Sequence, residues 1–307
     1  MTELRQIASG LMFPEGPIAM PDGSVLVVEI AGGRLSRVAP DGTVSVIARL
    51  GGGPNGAAIG PDGKCYVCNN GGFEFSARDG RISPGLTATD YTSGRIEKVD
   101  IDTGAFAVLY KACDGEPLKG PNDIVFDAAG GFWFTDHGKH YARSRDVTGV
   151  FYALPDGSEI REMIFPMEGP NGIGLAPDES ILYVAETPTG RLWSYDLSGP
   201  GQFADVRANG QPRRNLVIGL PGHQLFDSLA VDSAGNICVA TLVNGGITLI
   251  SPDGRNVEHV PMPDHGTTNI CFGGPDLKTA YITLGTTGRL VAIDWPRPGL
   301  PLNFLNK

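Results

Sequence analysis

The chain has 307 residues and carries 34 Asp and Glu against 24 Lys and Arg, a formal net charge of −10. Arg213 and Arg214 are its only adjacent basic pair, so it lacks the clustered cations that phosphate backbones require, and a nucleic-acid partner is not expected. No apolar run approaches the roughly 18 residues of a membrane span, and no membrane association is expected.

The N-terminal MTELRQIASG has neither the basic nor the apolar section of a signal peptide, which places the protein in the cytoplasm as an expectation. Five cysteines, an odd number, fit reduced thiols there. Cys65 and Cys68 form a CxxC inside CYVCN. That segment reads as a strand, where positions three apart face opposite sides, so a zinc or redox role is not expected.

In chain order, the same motif returns: IAMPDGSVLVVE (18–29), AAIGPDGKCYVCN (57–69), IVFDAAGGFWFTD (124–136), IGLAPDESILYVAE (173–186), LAVDSAGNICVAT (229–241) and ICFGGPDLKTAYIT (270–283). Each is an apolar strand, a tight turn and a more strongly apolar strand. A third strand follows in each copy, as in GGRLSRV, SGRIEKV, TGVFYAL, TGRLWSY, GGITLIS and TGRLVAI. A weaker fourth usually comes next, such as TVSVIARL or REMIFPM. Four strands repeating at roughly 50 residues give an all-β, six-bladed β-propeller with four-stranded antiparallel blades. After GRLVAIDW comes the proline-rich PRPGLPLNF, so the last copy lacks its fourth strand. LRQIAS near the N-terminus can supply it, closing the ring and removing exposed edges. One propeller domain over residues 1–307 is expected, and with no free edge to pair, a monomer.

In a blade the first strand lies nearest the axis, and every first strand starts at the same face. The residues leading into the six first strands are Glu15 (PEG), Asn55 (PNG), Asn122 (PND), Asn171 (PNG), Asp227 (FDS) and Asn269 (TTN). All are Glu, Asp or Asn. Oxygens converging in a shielded channel suit a hard divalent cation. The competing explanation is turn chemistry, because Asn and Asp favour turns for backbone reasons alone. Without an ion, Glu15 and Asp227 would repel, and one should hold a proton at neutral pH.

PEGP at Pro14, GPND at Gly120, GPNGIGLAPD at Gly169, FDSLAVDSAGN at Phe226 and TTNICFGG at Thr267 together resemble the SMP-30/gluconolactonase/LRE family of metal-dependent lactonases, over essentially the whole chain. The resemblance implies one catalytic divalent metal in the channel. Its ligands would be Glu15, Asn171 and Asp227, with Asn122 a ligand or a substrate contact, and Asp227 also the general base. Ca²⁺ suits all-oxygen ligands; Zn²⁺, Mn²⁺ or Mg²⁺ are alternatives. The implied reaction is opening of the ester ring of a small lactone, with the metal as Lewis acid. Members of the animal regucalcin type carry an arginine where this chain has Gly120, which separates its sugar recognition from theirs.

Two long loops reach the same face. GGFEFSARDGRISPGLTATDYTSG (71–94) exceeds what a hairpin needs, and Phe73, Phe75 and Tyr91 either form a lid over substrate or pack on a neighbouring blade. DHGKHYARSRDVTG begins at Asp136; His137, Lys139 and His140 are candidates to meet a polar substrate, His137 foremost. Asn55 and Asn269 complete the substrate-binding candidates. GGGPNG at Gly51 matches GxGxxG formally, but a strand and turn follow it rather than a helix, which removes the dinucleotide reading. Alternatives to a lactonase are a phosphotriesterase of the diisopropyl-fluorophosphatase kind, a non-catalytic propeller binding a ligand or protein, and a calcium buffer.

Overall fold

The computed structural model describes residues 3–307, so Met1 and Thr2 of the expected domain lie outside the described residues. The described residues form strands and turns without an α-helix. Six antiparallel blades account for most of them, each built on four strands, with the short Gln202–Phe203 as a fifth in blade 4. Blade 1 comprises Pro14–Ala19, Val25–Glu29, Arg34–Val38 and Val44–Arg49; blade 2 comprises Pro54–Ile59, Cys65–Asn69, Arg95–Val99 and Phe106–Tyr110. Blades 3 to 5 begin with Pro121–Phe126, Pro170–Leu175 and Leu225–Val231. Blade 6 takes Thr267–Gly273, Thr279–Leu284 and Arg289–Asp294, with Arg5–Ser9 as its outermost strand. The ring is therefore closed by the N-terminal segment, with Gln6 opposite Val291 and Ser9 opposite Arg289.

Burial explains why the strands differ in sequence. Three of the six inner strands, Pro14–Ala19, Pro170–Leu175 and Thr267–Gly273, are buried at every position, as are second strands such as Cys65–Asn69. They therefore read as continuous apolar or small-residue runs. Fourth strands such as Val44–Arg49 are largely exposed, hence their weaker pattern. The PDG turns use glycine's freedom: Gly23 has φ +83°, while Asp22 Oδ1 accepts from Ser24 N at 2.9 Å.

Each inner strand contacts the next around the ring, and the sixth meets the first. The core consists of layers between blades. Tyr66, Ile96, Phe126, Phe132, Phe134 and Phe151 fill the gap between blades 2 and 3, while Ile247, Ile270, Phe272, Ile282, Val291 and Trp295 fill that between blades 5 and 6. All five cysteines are buried free thiols. No helix among the described residues is long and apolar enough to cross a membrane.

The C-terminal segment closes one end of the channel. Leu300 N donates to Val231 O at 3.0 Å, Asn303 Nδ2 to Phe126 O at 3.1 Å and to Glu179 Oε1 at 2.7 Å. Above this plug is a cavity of ≈ 170 Å³, walled by Ile124, Ile173, Leu229 and Ile270 and reaching Asp123 and Asn269.

Candidate functional site

The six candidate positions lie inside the inner strands rather than before them, and each is buried, with relative exposures of 2–9%. All six strands carry a register shift at this point: between Glu15 and Ile18, Pro54 and Ala57, Pro121 and Ile124, Pro170 and Ile173, Phe226 and Leu229, and Thr267 and Asn269. A bulge breaks the alternation of strand side chains and re-aims one of them. Asn55 and Asn171 lie within inner strands, at the break in the ladder, rather than in the turns that join strands.

Glycines after these positions let neighbouring blades close up. A Cβ on Gly16 would stand 2.6 Å from Asn55 O, one on Gly56 2.3 Å from Asn122 O, and one on Gly172 2.7 Å from Asp227 O. Every L side chain is excluded there, so PEG and PNG keep their glycine for contact between blades.

Side-chain hydrogen bonds link four candidates across two blade boundaries, 6 to 1 and 4 to 5, and from blade 5 to blade 1. Asn269 Nδ2 donates to Glu15 Oε2 at 2.7 Å, and Asn171 Nδ2 donates to Asp227 Oδ1 at 2.6 Å. The Ser228 hydroxyl lies 3.3 Å from both Glu15 Oε1 and Asn171 Oδ1, joining the two pairs. Asn122 Oδ1 is buried and has no hydrogen-bond partner among the described residues. Asn55 adjoins the cluster through Gly16.

Among the described residues, no basic side chain pairs with the carboxylates of this cluster. Burial, then Asp227 and Asp123, raise the Glu15 carboxyl well above the usual range. Burial raises Asp227 to about 8, with Asp123 adding to the effect and the Asn171 amide opposing it. Burial also raises Asp123 to about 7, against bonds such as that from Ile124 N at 3.0 Å. Among the described residues no three His, Cys, Asp or Glu are gathered closely enough to hold a metal unaided. Amide oxygens are needed to complete the set. The Glu15 and Asp227 carboxylates, the Asn171 amide oxygen and the unpartnered Asn122 oxygen are of the donor type that suits a hard divalent cation.

Ser228 and Asp123 escaped sequence reasoning. Their signal was the residue after each candidate: Gly16, Gly56 and Gly172 in three blades, but Asp123, Ser228 and Ile270 in the others.

Residues 71–94 contain a hairpin, Phe73–Arg78 paired with Arg81–Thr87. Thr87 N donates to His140 O of blade 3 at 2.9 Å, while Ile82 N donates to Thr286 O of blade 6 at 2.9 Å. Arg81 Nη1 lies 3.0 Å from His265 Nδ1. Blades 3 and 6 face each other across a six-membered ring, so the hairpin spans the mouth. Its Phe75 ring is 5.5 Å from that of Phe13, two residues before Glu15. The Tyr91 hydroxyl is engaged by Lys119 O at 2.8 Å. His137 is half-buried, with Nδ1 buried and lacking a partner among the described residues. Burial, with His140 and Lys139 nearby, pushes its pKa down to about 4, so it is neutral at pH 7. Lys139 does not face the mouth; it is fully buried against the roots of the hairpin.

The family model of the SMP-30/Gluconolactonase/LRE-like region matches residues 13–286. The chain belongs to this family. A gluconolactonase of Zymomonas mobilis is 27% identical over 306 residues, covering 89% of this chain and 76% of that protein. The diisopropyl-fluorophosphatase of Loligo vulgaris is 26% identical over 245 residues, covering 76% of this chain and 71% of its own. Regucalcin of Agrobacterium tumefaciens, described as a calcium-binding protein, superposes with a TM-score of 0.76 at 17% identity, covering 99% of this chain and 96% of that one. The blade architecture of this chain is thus that of the SMP-30/gluconolactonase/LRE propellers.

Proposed function

We propose that this protein is a lactonase: a divalent-metal-dependent carboxylic-ester hydrolase that opens the ring of a small lactone. The observation that carries the reading is the hydrogen-bonded group of Glu15, Asn171 and Asp227, brought together from blades 1, 4 and 5 at the channel mouth. Similarity to the Zymomonas gluconolactonase supports the reaction class.

Glu15, Asn171 and Asp227 would hold the cation, with Asn122 as a fourth oxygen. When bound, such a cation polarises the lactone carbonyl and stabilises the charge that builds on its oxygen. Asp227 is the general base, taking a proton from the attacking water as the acyl carbon is attacked. Asn171 Nδ2 holds Oδ1 of that carboxylate and so orients it. Ser228 and Asn269 fix Glu15. Asn55 and the neutral His137 would meet the polar groups of the substrate, with Phe75 against its ring face.

The test is a panel of lactones assayed with metal-stripped protein and stepwise restoration of Ca²⁺, Mg²⁺, Mn²⁺ and Zn²⁺. Ring opening that needs an added cation is the expected result. Failure to bind any of the four would instead favour a non-catalytic propeller. The similarity to the Loligo enzyme favours a second reading, phosphotriester hydrolysis at the same oxygens. Fluorophosphate substrates run beside the lactones separate the two.

A further inference from the structure

We propose that Lys139 is a positioning residue: it pins the hairpin of residues 73–87 across the mouth and thereby sets the opening through which substrate reaches the carboxylate cluster. The last clause rests on the hydrolase reading; the pinning itself does not.

The candidate cluster is buried, and the hairpin bridges opposite blades above it. A substrate must therefore pass the hairpin, and what fixes its roots fixes the aperture. Lys139 extends from the loop after the second strand of blade 3 into the crook between those roots. Its Nζ donates to Asn70 O at 3.0 Å and to Gly72 O at 2.6 Å. It also stands 3.7 Å from the centre of the Phe73 ring and 5.2 Å from that of Tyr91. Two carbonyls and a ring face satisfy the three N–H groups of an ammonium. All of these partners belong to the segment that starts or ends the hairpin.

A fully buried ammonium without a salt bridge among the described residues is costly. Burial lowers its pKa to about 7, while Asp136 and Asp146 pull the other way. A methionine would fill similar space without that cost. It would not hold the two carbonyls, and Asn70 O would lose the donor that Lys139 supplies. The two hydrogen bonds donated by Nζ are thus an attachment between blade 3 and the hairpin roots. Thr87 N to His140 O and Ala88 N to Gly72 O, at 2.9 and 3.3 Å, close the same junction and depend on its geometry.

The experiment is amide hydrogen exchange on metal-free, substrate-free Lys139→Met, beside steady-state kinetics on the lactone that the wild type turns over best. Exchange at Ile82, Thr87 and Ala88 should quicken about tenfold or more, with amides of Cys65–Asn69 unchanged. KM should shift several-fold while kcat moves less. Unchanged exchange at the three hairpin amides in a folded variant overturns the proposal. If Lys139→Met does not fold, Phe73→Ala removes the ring from the hairpin side and is read in the same way. Quickened exchange in a protein inactive on every lactone supports the pin and defeats the lactonase reading; an active lactonase with unaltered exchange does the reverse.

Discussion

Gly172 is pressed against the backbone of Asp227, so closely that a Cβ there would lie 2.7 Å from the Asp227 carbonyl oxygen and 2.7 Å from Leu229 N. Both partners are backbone of the next inner strand, which cannot swing aside as a flexible side chain could. Gly172→Ala should therefore push blades 4 and 5 apart, at a cost of about 1–3 kcal/mol. Denaturant unfolding measures that loss. Because Asn171 and Asp227 span the same boundary, cation affinity should fall with it, as titration calorimetry would register.

Asp227→Asn keeps the size of the side chain and removes its basicity. The variant should remain folded, with its circular dichroism unchanged, and lose about 10²-fold or more in kcat. Turnover near the wild-type value would rule out Asp227 as the base.

Glu15→Gln removes one of two carboxylates from the proposed ligand set while keeping an acceptor for Asn269. Cation affinity should drop, with much of the activity regained at high cation concentration. Titrating activity against Ca²⁺ in wild type and variant gives the comparison.

Asp227, raised to about 8 in the folded protein against about 3.9 in an unfolded chain, makes stability depend on pH. A raised carboxyl contributes stability that is fully present below about pH 4 and is lost as pH rises through about 8. Stripped of divalent cations, the protein should lose this contribution across that window. Saturating Ca²⁺ should restore more stability at pH 8 than at pH 5, because the ligands must shed their protons to bind. Other carboxylates titrate too, so the quantity to plot is the melting temperature of wild type minus that of Asp227→Asn.

Deleting residues 1–9 would strip the outer strand from blade 6 and expose the edge of Arg289–Asp294. It would also remove the Arg5 ion pair to Asp294 at 2.8 Å, which is exposed and contributes little by itself. The truncated chain should melt at lower temperature and associate through the bare strand, visible as larger species in light scattering.

The blade count, the order of strands and closure by Arg5–Ser9 were all legible in the sequence. Apolar patterning and PDG turns repeat locally, and a repeat needs no knowledge of distant contacts. The six Glu, Asp and Asn positions could also be picked out, because each occupies the same place in its repeat. How they associate is a matter of tertiary structure alone. Ser228 stands between Glu15 and Asn171, though 213 residues separate it from Glu15. Asp123 adds charge to the cluster from a position where three other blades carry glycine. Residues 71–94 left two possibilities open, a lid or a loop packed on its neighbour, because a hairpin's local pattern does not encode where its tip lands. The bonds from Ile82 to Thr286 and from Thr87 to His140 decide that, and they exist only once the ring has brought blades 3 and 6 face to face. Lys139 shows the same division: its sequence neighbours His137 and His140 pointed to the substrate, whereas burial among Asn70, Gly72 and Phe73 gives it to the hairpin. Repeated local chemistry sets each blade, but the direction a side chain faces follows from which backbone closes over it.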